Sequence, residues 1–128
     1  MTYQYGVLLR NAKLNAITTE LGASATLKVF SGAEAANCAA ADPSGLLCTI
    51  TLPASPFGTA SAGAIALSGT WSAAASASGT AASWRVYDST SACQIQGNAT
   101  DLTFSPSTTI TSGQTLTITA FNITAGNA

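Results

Sequence analysis

The chain has 128 residues, four basic and five acidic side chains, no histidine and a formal net charge of −1; that length suits one domain with one core. Charged residues make up 7 % of the sequence, about a quarter of the usual share. The four cations, Arg10, Lys13, Lys28 and Arg85, are too few for the positive footprint of non-specific nucleic-acid binding, and without histidine the chain lacks the commonest metal ligand and general base.

Residues 7–21 carry the one convincing helical pattern. Val7, Leu14, Ile17 and Leu21 recur at helical spacing on one face, with Arg10, Lys13 and Glu20 off it, and Gly22 stands where a C-terminal cap belongs. The face is expected either to pack on its own domain or to dock on a neighbouring subunit. From Ala25 the period becomes alternating: Leu27 and Val29 oppose Thr26, Lys28 and Phe30, the pattern of a strand exposed on one side. A loop over 31–45 ends in the turn tetrad Asp42-Pro43-Ser44-Gly45. The following strand places Leu46, Cys48, Ile50 and Leu52 on one face and Leu47, Thr49 and Thr51 on the other, and Pro53 and Pro56 end it.

Residues 60–80 are a run of small residues broken by Ile65, Leu67 and Trp71, read as short strands at 64–67 and 69–73 with a loose tip at 76–79. Next comes an amphipathic, central strand in which Trp84, Val86 and Asp88 alternate with Ser83, Arg85 and Tyr87. The turn Asp88-Ser89-Thr90-Ser91 leads into a partner strand carrying Cys93 and Ile95, a hairpin. Leu102 and Phe104 alternate before Pro106, and Ile110 precedes the turn Ser112-Gly113. The last strand has Leu116, Ile118 and Ala120 in one phase and Phe121 and Ile123 in the other, which requires a bulge near Ala120 or a strand passing between two packing surfaces.

These elements predict a mainly β fold: an antiparallel β-sandwich of about eight strands, jelly-roll-like or immunoglobulin-like, with one N-terminal helix. The predicted organisation is a single domain, 1–128, with an arm and helix over 1–22 and the sandwich over 23–128. Its core is thin. Ala, Ser, Thr and Gly fill more than half the chain, while Leu, Ile, Val and Phe number 25. No stretch of about 18 residues is apolar enough for a membrane span, and the start Met1-Thr2-Tyr3-Gln4-Tyr5 lacks the basic and apolar regions of a secretory signal, so synthesis in the cytoplasm is expected.

Candidate chemistry is sparse. Cys38, Cys48 and Cys93 allow three pairings, each leaving one thiol over. Cys38 and Cys48 are the candidate disulfide, closing a short loop across the Asp42-Pro43 turn; the competing reading keeps Cys48 as a small hydrophobe beside Ile50. Three scattered thiols do not make a metal site. The acids Glu20, Glu34, Asp42, Asp88 and Asp101 show no paired spacing; Asp42 and Asp88 read as turn residues, and Arg85 with Asp88 as a surface pair. Asn98-Ala99-Thr100 and Asn122-Ile123-Thr124 match the glycosylation sequon, which acts only on a secretory route. The expectation is a protein that is not an enzyme, with no cofactor, no metal and no catalytic residues.

Several segments resemble a known family. The opening Leu9-Arg10-Asn11-Ala12-Lys13-Leu14-Asn15-Ala16-Ile17, the strand Leu27-Lys28-Val29-Phe30-Ser31-Gly32, the run from Gly79 through Trp84-Arg85-Val86-Tyr87-Asp88 and the ending Ser112-Gly113-Gln114-Thr115-Leu116-Thr117-Ile118 are similar to small structural proteins of tailed bacteriophages and prophages. The resemblance implies a virion component, foremost a capsid decoration or cement protein on the head surface, the alternatives being a tail, neck or fibre-associated protein or a displayed cell- or carbohydrate-binding module. Implied partners are the major capsid protein and further copies of the chain as a homo-oligomer, with neither nucleic acid nor membrane. Tyr3, Tyr5, Val7, Arg10 and Leu14 are the candidate inter-subunit arm. Deleting the residues before Gly22 is then expected to spare the sandwich and abolish assembly.

Overall fold

The computed structural model of the chain describes residues 4–125. One helix, α1 (Val7–Leu21), precedes eleven strands among the described residues: β1 (Thr26–Phe30), β2 (Leu46–Thr51), β3 (Ala64–Ala66), β4 (Trp71–Ala74), β5 (Gly79–Thr80), β6 (Ser83–Tyr87), β7 (Cys93–Asn98), β8 (Thr103–Ser105), β9 (Thr109–Ile110), β10 (Thr115–Ala120) and β11 (Asn122–Thr124). The fold is mainly β and every pairing is antiparallel. Four small sheets form, with strand orders β2-β1-β6-β7, β4-β10-β8, β11-β3 and β5-β9. The sheets are small and separate. Between residues 52 and 82 prolines and small residues interrupt the chain too often for long strands, so pairing is divided among short ribbons.

The four-stranded sheet is the most regular part. Its inner face carries Leu27 and Val29 from β1, Cys48 and Ile50 from β2, and Trp84 and Val86 from β6, all at most 2 % exposed. A register shift opposite Val29 and Phe30 leaves Leu47 as an extra residue in β2. Leu47 is therefore buried and Leu46 exposed, correcting the strict alternation expected there. Each fully buried aliphatic or aromatic side chain contributes about 1.5–3 kcal/mol.

A cluster of four aromatic rings joins the sheets. Phe121 lies 5.0 Å from Trp84 and 5.7 Å from Phe57 between ring centroids, and Trp71 packs edge-on to Phe57 and Phe121. Phe121 sits at the phase change between β10 and β11. The β10 register shifts between Ile118 and Ala120, after which β11 leaves the β4-β10-β8 sheet to pair with β3. Both devices expected from the sequence are present at that point.

Helix α1 has the expected limits, and Gly22, at φ 77°, donates its N–H to the Thr18 carbonyl. Its C-terminal half is anchored by Leu14 and Leu21, which are 3 % and 1 % exposed, with Ile17 packed against the core. Two side chains one turn apart grip the loop before β3: Asn15 Oδ1 accepts from Ala60 N–H and Asn11 Oδ1 from Gly63 N–H, each at 2.9 Å. Val7 departs from the expected face. It is 43 % exposed, because the first helical turn extends past the loop that α1 covers.

Candidate functional site

The four-stranded sheet also has an outer face, and the loop over 31–45 closes part of it. Alternation along β6 sends Trp84 and Val86 inward and Ser83, Arg85 and Tyr87 outward, yet all five residues are buried. The loop supplies the cover. Its base is pinned where Ser31 and Gly32 N–H donate to the Gly45 and Ser44 carbonyls, and Gly45, at φ 74°, makes the turn.

Arg85 organises the loop from beneath. Its guanidinium is 2 % exposed and makes four hydrogen bonds: Nη1 to Asp42 Oδ1 (2.9 Å) and the Ala40 carbonyl (3.1 Å), Nη2 to the Asn37 carbonyl (3.0 Å), and Nε to Gln96 Oε1 (3.2 Å). Gln96 Nε2 donates to the Ala35 carbonyl at 2.8 Å, and Asn37 Oδ1 accepts from Ala39 and Ala40 N–H. A chain segment without regular structure thus gains partners for its carbonyls. The surface pair expected between Arg85 and Asp88 is not formed. Arg85 is buried and bridges to Asp42, while Asp88 accepts from Thr90, Ala92 and Gln94 in its own turn. The Thr90 hydroxyl, then the Ala92 N–H and the Gln94 amide, hold the Asp88 carboxyl well below the usual carboxylate range.

Beside this network a cleft of about 430 Å³ opens, lined by Lys28, Cys38, Asp42, Arg85, Tyr87 and Cys93 among others. Tyr87 Oη donates to Asp42 Oδ1 at 2.5 Å. Burial first, and then the bond to Asp42 and the Asp42 charge, raise the Tyr87 phenol above its ordinary value, so it is held as a proton donor. Lys28 Nζ stands 4.9 Å from the Tyr87 ring centroid, a cation–π contact. With Arg85 occupied on all three nitrogens, the groups left to meet a solute are the Lys28 ammonium, two thiols and the hydroxyls of Thr26, Thr49 and Ser91. Among the described residues no group of three or more His, Cys, Asp or Glu is placed to hold a metal ion.

The cysteines are arranged differently from the expected pairing. All three are free. Cys48 faces the core from β2, 0 % exposed, its Sγ 3.8 and 3.7 Å from the Ala73 and Ala74 carbonyl oxygens, while Cys38 lies beyond the outer face of the same sheet. The sheet itself separates the candidate disulfide partners. Burial raises the Cys48 thiol further above neutrality. Cys38 instead lines the outer-face cleft together with Cys93, whose thiol is raised by burial first and then by the neighbouring Cys38.

The candidate arm divides. Tyr3 lies outside the described residues. The Tyr5 ring carries Lys13 Nζ 4.2 Å from its centroid. Leu14 is a core residue and is unavailable to a partner, a correction that follows from its 3 % exposure. Arg10 rests its guanidinium on Gly63 of its own domain, and its buried Nε has no hydrogen-bond partner among the described residues. The outward-facing part is Val7, Leu8 and Leu9, exposed by 43, 81 and 51 %. Leu8 and Leu9 fell outside the helical-face reading because they lie off the Val7-Leu14 stripe. The Arg85–Asp42 bridge, 43 residues apart, had one faint signal: an arginine flanked by Trp84 and Val86 in a chain with four cations.

Among the described residues no helix is long and apolar enough to cross a membrane. No protein-family model, curated protein or solved structure matches the chain.

Proposed function

We propose that the chain is a structural protein of a tailed-bacteriophage particle and, within that class, a decoration protein that binds the head surface and stabilises the shell. The observation that carries this reading beyond the sequence resemblance is the first turn of α1. Val7, Leu8 and Leu9 form an outward apolar ridge on a helix whose other half is locked into the core through Leu14 and Leu21. A rigidly presented ridge of this kind loses little entropy on docking. The major capsid protein is its partner, repeated many times over a head, so modest affinity per copy becomes firm attachment when neighbouring copies also touch. In the same reading the four-stranded and three-stranded sheets are the layers of a thin sandwich, and their edge strands β2, β7, β4 and β8 meet further copies of the chain.

A displayed carbohydrate-binding module is less well supported. Such a site needs exposed aromatic platforms, and Trp71, Trp84 and Tyr87 are 0, 2 and 6 % exposed.

Quantitative mass spectrometry and imaging of intact particles test the proposal: high copy number over the head is expected. A few copies confined to the tail or neck would overturn it. The double variant Leu8→Ser/Leu9→Ser is expected to keep its fold, because both side chains are exposed, and to lose attachment to particles stripped of the wild-type chain. Unchanged attachment would show that the ridge is not the contact.

A further inference from the structure

The cleft on the outer face holds two thiols that neither the loop network nor the proposed attachment uses. Cys38 belongs to the covering loop and Cys93 opens β7, directly opposite Tyr87 in the sheet. Both are partly exposed and both line the same cleft, Cys38 from the loop whose Asn37 carbonyl is held by Arg85 and Cys93 from the strand beside Tyr87. Cys48, buried on the other side of the sheet, can reach neither.

We infer that Cys38 and Cys93 are a convertible dithiol, and that oxidation by a low-molecular-weight disulfide joins them in a bond that staples the 31–45 loop to β7. Cys38 is the attacking sulfur. Burial first, and then the neighbouring Cys38, push the Cys93 thiol up to about 12, which holds Cys93 protonated and leaves it the resolving partner. The Cys38 thiolate attacks one sulfur of the small disulfide; a Cys38 mixed disulfide forms, the original S–S bond breaks, and the departing thiolate takes a proton from water. Cys93 then yields its proton to solvent beside the positive charge of Arg85, and its sulfur attacks Cys38 Sγ and expels the second small thiol. Two protein thiols are oxidised to one disulfide, and one small disulfide is reduced to two thiols.

The inference is independent of what the particle attachment proves to be. It is tested on the full chain, reduced and then exposed to glutathione disulfide. The expected product is monomeric and lighter by two hydrogens; peptide mapping joins Cys38 to Cys93, and the thiols counted after denaturation fall from three to one. Cys48→Ala should undergo the same two-hydrogen loss. Cys93→Ser should stop at a glutathione adduct on Cys38, and Cys38→Ser, which lacks the attacking sulfur, should stay reduced over the same time. Closing a loop of more than fifty residues should raise the Tm of the oxidised chain above the reduced one by on the order of 10 °C. Stable glutathione adducts on both cysteines of the wild type, a bond that includes Cys48, or disulfide-linked dimers would each overturn the inference, and so would an unchanged Tm. The wild-type mass and map decide the matter even if a serine variant fails to fold.

Discussion

Tyr87 donates its phenol proton, at 2.5 Å, to the same Asp42 oxygen that receives the buried guanidinium of Arg85 at 2.9 Å. Two neighbours in one strand thereby converge on a single atom of the loop that covers them. Asp42 keeps nearly half of its side chain in solvent, while Arg85 keeps almost none. The cost of burying the charge therefore falls on the arginine and is offset by its four hydrogen bonds.

Arg85→Ala is expected to destabilise the protein by about 3–5 kcal/mol, because it strands the carbonyls of Asn37 and Ala40 and removes the charge that Asp42 faces. Asp42→Asn, which keeps an acceptor near both donors, should cost about 1–2 kcal/mol. Urea unfolding measures both. Equal and small losses would mean that the loop is held by something other than the guanidinium.

Stability is expected to fall on the alkaline side through Tyr87. Its folded pKa is raised above the unfolded value of about 10, so its contribution is whole below that pH and disappears as the pH climbs toward the folded value. Tyr87→Phe should be less stable near neutrality and should lack that alkaline loss. Denaturant midpoints across the range, with ultraviolet detection of tyrosinate, give the comparison; identical alkaline profiles would contradict it.

Phe121→Ala should cost about 3–5 kcal/mol, since Phe121 touches Phe57, Trp71 and Trp84 at once and its loss opens a cavity where β10 hands over to β11. Thermal unfolding followed by tryptophan fluorescence reports it directly. A loss below 1 kcal/mol would show that the rings close over the gap.

Deleting the chain up to Leu21 is expected to unfold the domain, the reverse of what the sequence suggested. Leu14 and Leu21 are core residues, Asn11 and Asn15 hold the loop before β3, and the Leu21 carbonyl accepts from Ser89. Removing two buried leucines alone forfeits about 3–6 kcal/mol, a large share of the stability of a domain this size. Circular dichroism of the truncated chain is the check, and a native spectrum would return α1 to the status of an arm.

Much of the β architecture was legible because it is local. Thr26 to Phe30, Ser83 to Tyr87 and Thr115 to Ala120 carry their alternation in adjacent residues, and the phase change at Phe121 is visible without knowing what it packs against. The limits of α1 were legible for the same reason, through Gly22. What failed was everything decided at a distance. Alternation showed which residues of β6 point outward but not that a remote loop would bury them, so Arg85 read as a surface cation. Proximity in sequence favoured Cys38 with Cys48, whereas the sheet sets them on opposite sides and its hairpin brings Cys93 to the loop instead. The division into four small sheets was not legible either, since short strands in Ala- and Ser-rich sequence carry too little pattern to say which edges they choose.

Arg85 and Gln96 hold the covering loop largely by its main-chain oxygens, at Ala35, Asn37 and Ala40. A grip on main-chain atoms is indifferent to the side chains those residues carry. Outside Gly32, Asn37, Cys38, Asp42 and the turn at Gly45, the loop is free to change its composition while keeping its path, and a designer seeking to display a short foreign peptide on this protein would place the new side chains at Ala33, Ala36, Ala39 and Ala41, which already face solvent.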